Sequence, residues 1–102
     1  MGQDQIIGAL RAHERELKQA GVASLSLTGS VARGNDRPDS DIDVVVRLTN
    51  DAQGDGFAYF GRIDRLRQRL ETILDRHVDL ITEPVRKERL RREIEKDRVL
   101  AF

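Results

Sequence analysis

Three aspartates and one glycine-serine turn are the residues of this sequence whose types and spacing can do chemistry. Asp41 and Asp43 stand two apart in Ser40-Asp41-Ile42-Asp43. On a strand, residues two apart project from one face, about 6.5 Å from each other along the chain. Two carboxylates so placed can converge on one hard cation, and Mg²⁺ is commonly held by one or two carboxylates together with substrate phosphates. Ile42 points the opposite way, toward a core. Asp79 repeats the pattern between Val78 and Leu80, with Ile81 following. If that run lies beside the first, the third carboxylate joins the pair. Carboxylates with an ordinary pKa of about 3.9 are all ionised at neutral pH and repel one another. A cation relieves the repulsion. Two ions about 3.5–4 Å apart would stabilise the attacking and leaving oxygens of an in-line phosphoryl displacement.

The turn is Gly29-Ser30-Val31-Ala32-Arg33-Gly34. Gly29 lets a strand turn sharply into a helix and lets a phosphate approach the backbone. Ser30 can cap that helix and offer its hydroxyl, and the unpaired N–H groups of a first helical turn bind anions. The sequence has no Gly-Lys-Ser/Thr phosphate loop and no Gly-x-Gly-x-x-Gly dinucleotide fingerprint. Taken singly, each feature has a plain alternative. Gly-Ser is an ordinary turn and cap, Asp-x-Asp a capped turn, and Asp79 an edge-strand surface residue. The order and spacing together favour a polyphosphate and metal site. Arg33 suits a solvated turn as well as a phosphate contact.

The elements that must position these residues follow from periodicity. Residues 3 to 20 read as one helix, with Ile6, Ile7, Leu10 and Leu17 at helical spacing and Gly21 as its stop. Residues 22 to 28 read as a strand and residues 30 to 33 as a helical turn within a stretch of turn formers ending at residue 40. Residues 41 to 48 are β-branched or apolar almost throughout, the pattern of a strand covered on both faces. After a loop at 49 to 56 comes a long amphipathic helix, 57 to 76, with Phe60, Ile63, Leu66, Leu70, Ile73 and Leu74 on one face. Residues 77 to 82 read as a short strand. A charged helix marked by Leu90 and Ile94 ends near Val99. Three strands with helices against them predict an α/β or α+β layer domain. Its sheet order and strand directions stay open.

Several other residues take ordinary readings. His13 is an exposed helix residue, and His77 has a structural part before its strand. Tyr59 and Phe60 serve as core and staple at the start of the long helix. The basic segment 86–92 alternates with Glu88 and Glu93 and reads as a solvated helix face. Leu100, Ala101 and Phe102 form an apolar end that packs on the core or on a partner.

Composition bounds the function. The chain of 102 residues suits one domain spanning 1–102. Its 18 basic and 18 acidic residues cancel, against the basic excess of a dedicated nucleic-acid binder. With no cysteine there is neither a disulfide framework nor a thiolate metal site. No apolar run reaches the roughly 20 residues of a membrane span, and the N-terminus lacks a signal-peptide pattern. A cytoplasmic protein is expected.

The series Gly-Ser-x-Ala-Arg-Gly, a short spacer, Ser-Asp-Ile-Asp and a later Val-Asp-Leu resembles the minimal nucleotidyltransferase (MNT) family of the polymerase-beta-like nucleotidyltransferase superfamily. The resemblance spans roughly residues 20 to 98, with no departure at the motif positions. It implies a small mixed sheet of about three strands with helices packed on it. It implies that Asp41, Asp43 and Asp79 carry two Mg²⁺ ions and that Asp79 helps activate an acceptor hydroxyl. It implies that Gly29 and Ser30 hold the triphosphate of ATP. Arg33 and Gly34 would complete the loop, with Arg33 contacting phosphate or positioning the partner. Proteins of this family commonly serve as antitoxins beside a HEPN-domain toxin. The implied reaction moves AMP from ATP to a toxin tyrosine, within a hetero-oligomer of the two. Two other functions fit the same residues. One is an antitoxin that neutralises its toxin by docking, and the other a small-molecule nucleotidyltransferase completed by dimerisation.

Overall fold

In a computed structural model of the chain, residues 2–35, 37, 40–49 and 56–102 are described, apart from the side chains at 56 and 57. Part of the turn-rich stretch and most of the expected loop at 49 to 56 lie outside the described residues. Along the chain run α1 (Gln3–Ala12), α2 (Glu14–Gln19), β1 (Val22–Thr28), α3 (Gly29–Ala32), β2 (Ile42–Leu48), α4 (Gly56–Leu74), β3 (Val78–Thr82), α5 (Glu88–Asp97) and β4 (Val99–Leu100).

The strands form one sheet in the order β3-β2-β1-β4. β1 is antiparallel to β2 and to β4, and β2 is parallel to β3, with α4 as the crossover between them. The sheet has four strands where the sequence suggested about three. The addition is the two-residue β4, too short to show a period. Its neighbours extend the pairing, since Leu25 N–H donates to Phe102 O at 2.9 Å and Ala101 N–H to Leu25 O at 2.9 Å. The apolar C-terminal residues therefore close onto β1.

Alternation divides the sheet into two faces. On one, Leu25, Leu27, Ile42, Val44, Val46 and Val78 pack with Ile6 and Leu10 of α1, Leu17 of α2 and Leu66, Leu70 and Leu74 of α4. On the other, Ser26, Val45 and Ile81 stand in register across β1, β2 and β3. Val45 and Ile94 of α5 are both buried, outside the main cluster. The doubly apolar sequence of β2 is thus explained by cover on both faces. In β1, Val22 and Leu25 are an odd number apart and yet both buried. A register shift between Val22 and Ser24 allows it, because a bulge resets which face each side chain meets.

Three local expectations need correction. Residues 3 to 20 form two helices, not one. His13 Nδ1 lies 2.9 Å from Ala9 O, and His13 N–H turns to Leu10 O at 3.1 Å, so the ladder tightens and breaks there. His13 is correspondingly half-buried. The long helix stops at Leu74, two residues before the expected end, because Asp75 takes a left-handed conformation (φ 53°). Phe60 is 69% exposed and not part of the core face. Tyr59, half-buried, takes the place at the head of the Ile63, Leu66, Leu70 stripe, and Phe60 meets it edge-on at 5.6 Å between centroids. Among the described residues no helix is long and apolar enough to cross a membrane.

Glu71 couples α4 to β3. Its Oε2 accepts the Val78 N–H at 3.0 Å, and its Oε1 meets Arg67 Nη1 at 2.7 Å. The Val78 hydrogen bond, then Arg67 and the neighbouring His77, hold its pKa below the usual carboxylate value. His77 itself is 91% exposed, with Nδ1 3.5 Å from Glu71. A depressed carboxylate pKa stabilises the fold above the unfolded pKa, and that contribution is lost as pH falls through the folded value. Glu71→Gln should therefore lower Tm at neutral pH, with the gap to wild type narrowing on acidification, as thermal melts across pH would show. Leu70→Ala, at a fully buried site, is expected to cost about 2–5 kcal/mol, read by urea unfolding.

Candidate functional site

Sheet register brings the chemistry together. Asp43 is the second residue of β2 and pairs with Thr28, the last residue of β1, and with Asp79, the second residue of β3. Ile42, fully buried on the main core, fixes the opposite orientation of its neighbour Asp43. In-register residues of neighbouring strands sit about 5 Å apart, close enough for like charges to repel. Asp41 lies just before β2 and is exposed. Asp79, on the edge strand, is exposed as well, whereas Asp43 is half-buried.

The electrostatics of Asp43 record this crowding. Its pKa is raised, first by burial, then by the charge of Asp79 and then by that of Asp41, while Arg33 opposes the shift. Negative charge is therefore in excess at this point. Among the described residues no three Asp, Glu or His side chains are gathered closely enough to cage a metal ion as they stand. The donor set is nonetheless of the right kind for Mg²⁺, since carboxylate oxygens are hard ligands.

Gly29 begins α3 at φ 72° and lies directly against the Asp43 carboxylate. A Cβ there would overlap Asp43 Oδ2 and stand 3.1 Å from its Cγ. Only glycine satisfies both the backbone conformation and this approach. Ser30 does not cap the helix as expected. It is the second residue of α3, and the capping position belongs to Thr28, with no side-chain cap bond. The helix starts one residue earlier because Gly29 accepts the turn. Ser30 remains half-buried, and its carbonyl accepts the Asn35 N–H at 2.8 Å. Gly34 (φ 80°) closes α3 by donating to Val31 O at 3.1 Å. Arg33 reaches across to α5, where Nη1 meets Asp97 Oδ2 at 2.8 Å.

These residues line a cleft of about 210 Å³ between α5 and the sheet, bounded by Thr28, Gly29, Arg33, Asp43, Asp79 and Ile81 and by Leu90, Glu93, Ile94 and Asp97 of α5. Asp41 and Ser30 are not among its walls. The α5 residues were not anticipated as site residues. Their signal was present: positions 90, 93, 94 and 97 form one helical stripe, and that stripe mixes two acids with the apolar pair Leu90 and Ile94. Thr28 was also missed, since only register reveals that it faces Asp43. A larger hollow of about 350 Å³ lies elsewhere, lined by Leu17, Leu48, Ile63 and Leu66 among others. Its acid, Glu16, is paired with Arg69, and it contains none of the three aspartates.

The nucleotidyltransferase domain model matches residues 10–101. A protein of Methanocaldococcus jannaschii, described provisionally as a protein adenylyltransferase, is 40% identical over 74 residues, covering 72% of this chain and 79% of that protein. A solved structure described provisionally as a minimal nucleotidyltransferase superposes with a TM-score of 0.76 at 27% identity, over 97% of this chain and 95% of that one. The complex of a tri-AMPylated HEPN toxin with MNT antitoxin from Shewanella oneidensis matches with a TM-score of 0.62 at 20% identity, over 98% of this chain and 71% of the other, and so shares the fold. The family match covers most of the chain and includes the glycine turn and all three aspartates, and the chain belongs to the nucleotidyltransferase domain family.

Proposed function

We propose that this protein transfers AMP from ATP to a hydroxyl group, with a tyrosine of a cognate HEPN toxin as acceptor, and so acts as an antitoxin. The observation that carries the reading is the register of Asp43 with Asp79 on adjacent parallel strands, directly beside Gly29. The relative in Methanocaldococcus jannaschii supports protein adenylylation as the reaction class. The Shewanella oneidensis complex supports a HEPN toxin as the acceptor, since that toxin carries AMP.

Asp41, Asp43 and Asp79 would hold Mg²⁺. Bound there, the metal would neutralise triphosphate charge and make the α-phosphorus a better electrophile. Gly29 admits the phosphates close to the backbone, and the N–H groups of the first turn of α3 face them without a carbonyl partner inside the helix. Ser30 adds a hydroxyl at that turn. Arg33 exchanges Asp97 for phosphate. Asp79, exposed at the sheet edge, orients the acceptor hydroxyl and takes its proton. The acceptor oxygen bonds to the α-phosphorus, the bond from that phosphorus to the α–β bridging oxygen breaks, and pyrophosphate leaves.

Incubation with the toxin, ATP and Mg²⁺, followed by intact mass measurement of the toxin, tests the reading. A toxin that gains AMP supports it. A toxin inhibited without gaining mass would replace it with neutralisation by docking. Asp41→Asn, Asp43→Asn and Asp79→Asn are each expected to lower the rate about a thousandfold or more, because several kcal/mol of charge stabilisation depend on them. Asp43→Asn should melt no lower than wild type at neutral pH without divalent ions, since it removes a charge that burial and its neighbours oppose. Gly29→Ala should lose transfer and cost at least about 1 kcal/mol of stability from the left-handed backbone alone. Wild-type activity in any of these aspartate variants would reject the assignment.

A further inference from the structure

Asp41 is the one aspartate of the three that lies outside the sheet, so the ladder does not place it. The residues on either side of it are held by one dipeptide on the far side of the α4 crossover. Arg76 Nη2 donates to Ser40 O at 2.5 Å, to Arg37 O at 2.8 Å and to Ser40 Oγ at 3.1 Å. His77, the next residue, accepts the Ile42 N–H on its carbonyl at 2.9 Å. Asp41 is thus pinned between Ser40 and Ile42. The turn is further tightened by Ser40 Oγ donating to Arg37 O at 2.8 Å and Ser40 N–H to the same carbonyl at 3.0 Å.

We infer that Arg76 is a positioning residue for the metal-binding acids, holding residues 37 and 40 so that Asp41 stands beside Asp43. Its side chain is half-buried under this turn. A charged donor strengthens each bond to a carbonyl. The left-handed stop at Asp75 (φ 53°) ends α4 early and directs the chain so that Arg76 reaches the turn instead of continuing the helix. The early helix end and the placement of the acid are therefore one device.

The inference rests on the metal reading proposed above. It extends that reading to a residue that touches neither metal nor nucleotide. Groups that orient metal ligands typically change affinity or activity by 10–100-fold when removed.

The test compares wild type, Arg76→Met and Arg76→Lys. Mn²⁺ binding is followed by electron paramagnetic resonance, AMP transfer by its Mg²⁺ dependence, and folding by thermal melts. Arg76→Met fills similar space without a donor and is expected to weaken Mn²⁺ binding about 10–100-fold, with the Mg²⁺ activation midpoint rising in parallel. Arg76→Lys should recover part of the affinity, because the contacts to Arg37 O, Ser40 O and Ser40 Oγ come from one nitrogen and an ammonium carries three donors. A role in stability alone would lower Tm and the number of sites without moving the midpoint. An unshifted midpoint in Arg76→Met overturns the inference while leaving AMP transfer intact. Should that variant fail to fold, Arg76→Gln, shorter and neutral, is read in the same way. Wild-type protein that binds Mn²⁺ yet transfers no AMP overturns the transfer reading and leaves the Arg76 measurement decisive. Wild-type protein that binds no Mn²⁺ overturns both.

Discussion

Two carboxylates held side by side by backbone hydrogen bonds are the constraint around which this fold is organised. Asp43 and Asp79 cannot move apart without breaking the parallel pairing of β2 and β3, because the residues on either side of them pair too: Ile42 with Val78 and Val44 with Leu80. Three of these four side chains are buried. Apolar burial of about 25 cal/mol per Å² thus holds together what Coulomb repulsion would separate. The result is an unfavourable charge at Asp43, whose pKa is raised first by burial and then by Asp79 and Asp41. A cation bound there, as proposed, would relieve that charge at a site the core already holds in place.

The face carrying the acids is covered differently from the face carrying the core. Helices α1, α2 and α4 lay a continuous apolar layer on one side. On the other, α5 buries Ile94 and lines the cleft beside Asp43 and Asp79 with Glu93 and Asp97. More acids near Asp43 would be hard to tolerate if Arg33 did not stand between them, 2.8 Å from Asp97. That pair is half exposed on the arginine side, so it contributes little to stability. Its consequence is for ligand choice. A polyphosphate bound as proposed would meet an arginine already in the cleft and would compete with Asp97 for it.

Much of this was legible in the sequence, for identifiable reasons. Residues 41 to 48 and 77 to 82 read as strands by composition, and each strand forms one residue later than its expected start. The glycine turn is legible because few residues other than glycine accept φ 72°. What escaped is what depends on contacts distant in sequence or on a single backbone torsion. The bulge after Val22, the break at His13 and the two-residue β4 leave no period to read. The left-handed Asp75 is hidden because aspartate, unlike glycine, does not mark such a position. The misplacement of Phe60 has the same root: helical spacing assigns a face only to within a residue, and the sheet edge decides whether Tyr59 or Phe60 lies over it. In the candidate site, the motif singled out the three aspartates and the turn, of which Asp43, Asp79, Gly29 and Arg33 line the cleft, while Thr28, Glu93 and Asp97 required the register and the packing of α5.

The contrast between Asp43 and Asp41 shows how a small domain divides the work of placing charged groups. Asp43 is positioned by the sheet, where hydrogen bonds on both sides and a buried neighbour leave little freedom. Asp41, one residue outside, has no ladder, and its neighbours are ordered instead by the Arg76 side chain and the His77 carbonyl. Ordering a backbone residue costs on the order of 1–2 kcal/mol, and a turn of polar residues buries too little apolar surface to offset that. Charge-assisted hydrogen bonds from one guanidinium to the carbonyls of Arg37 and Ser40 do so without enlarging the core. Because Arg76 follows α4 and leads into β3, the same segment that brings Asp79 into register also secures the approach to Asp41. The crossover is thus the common mechanical reference for the acids, and strain or slack in α4 would reach them together.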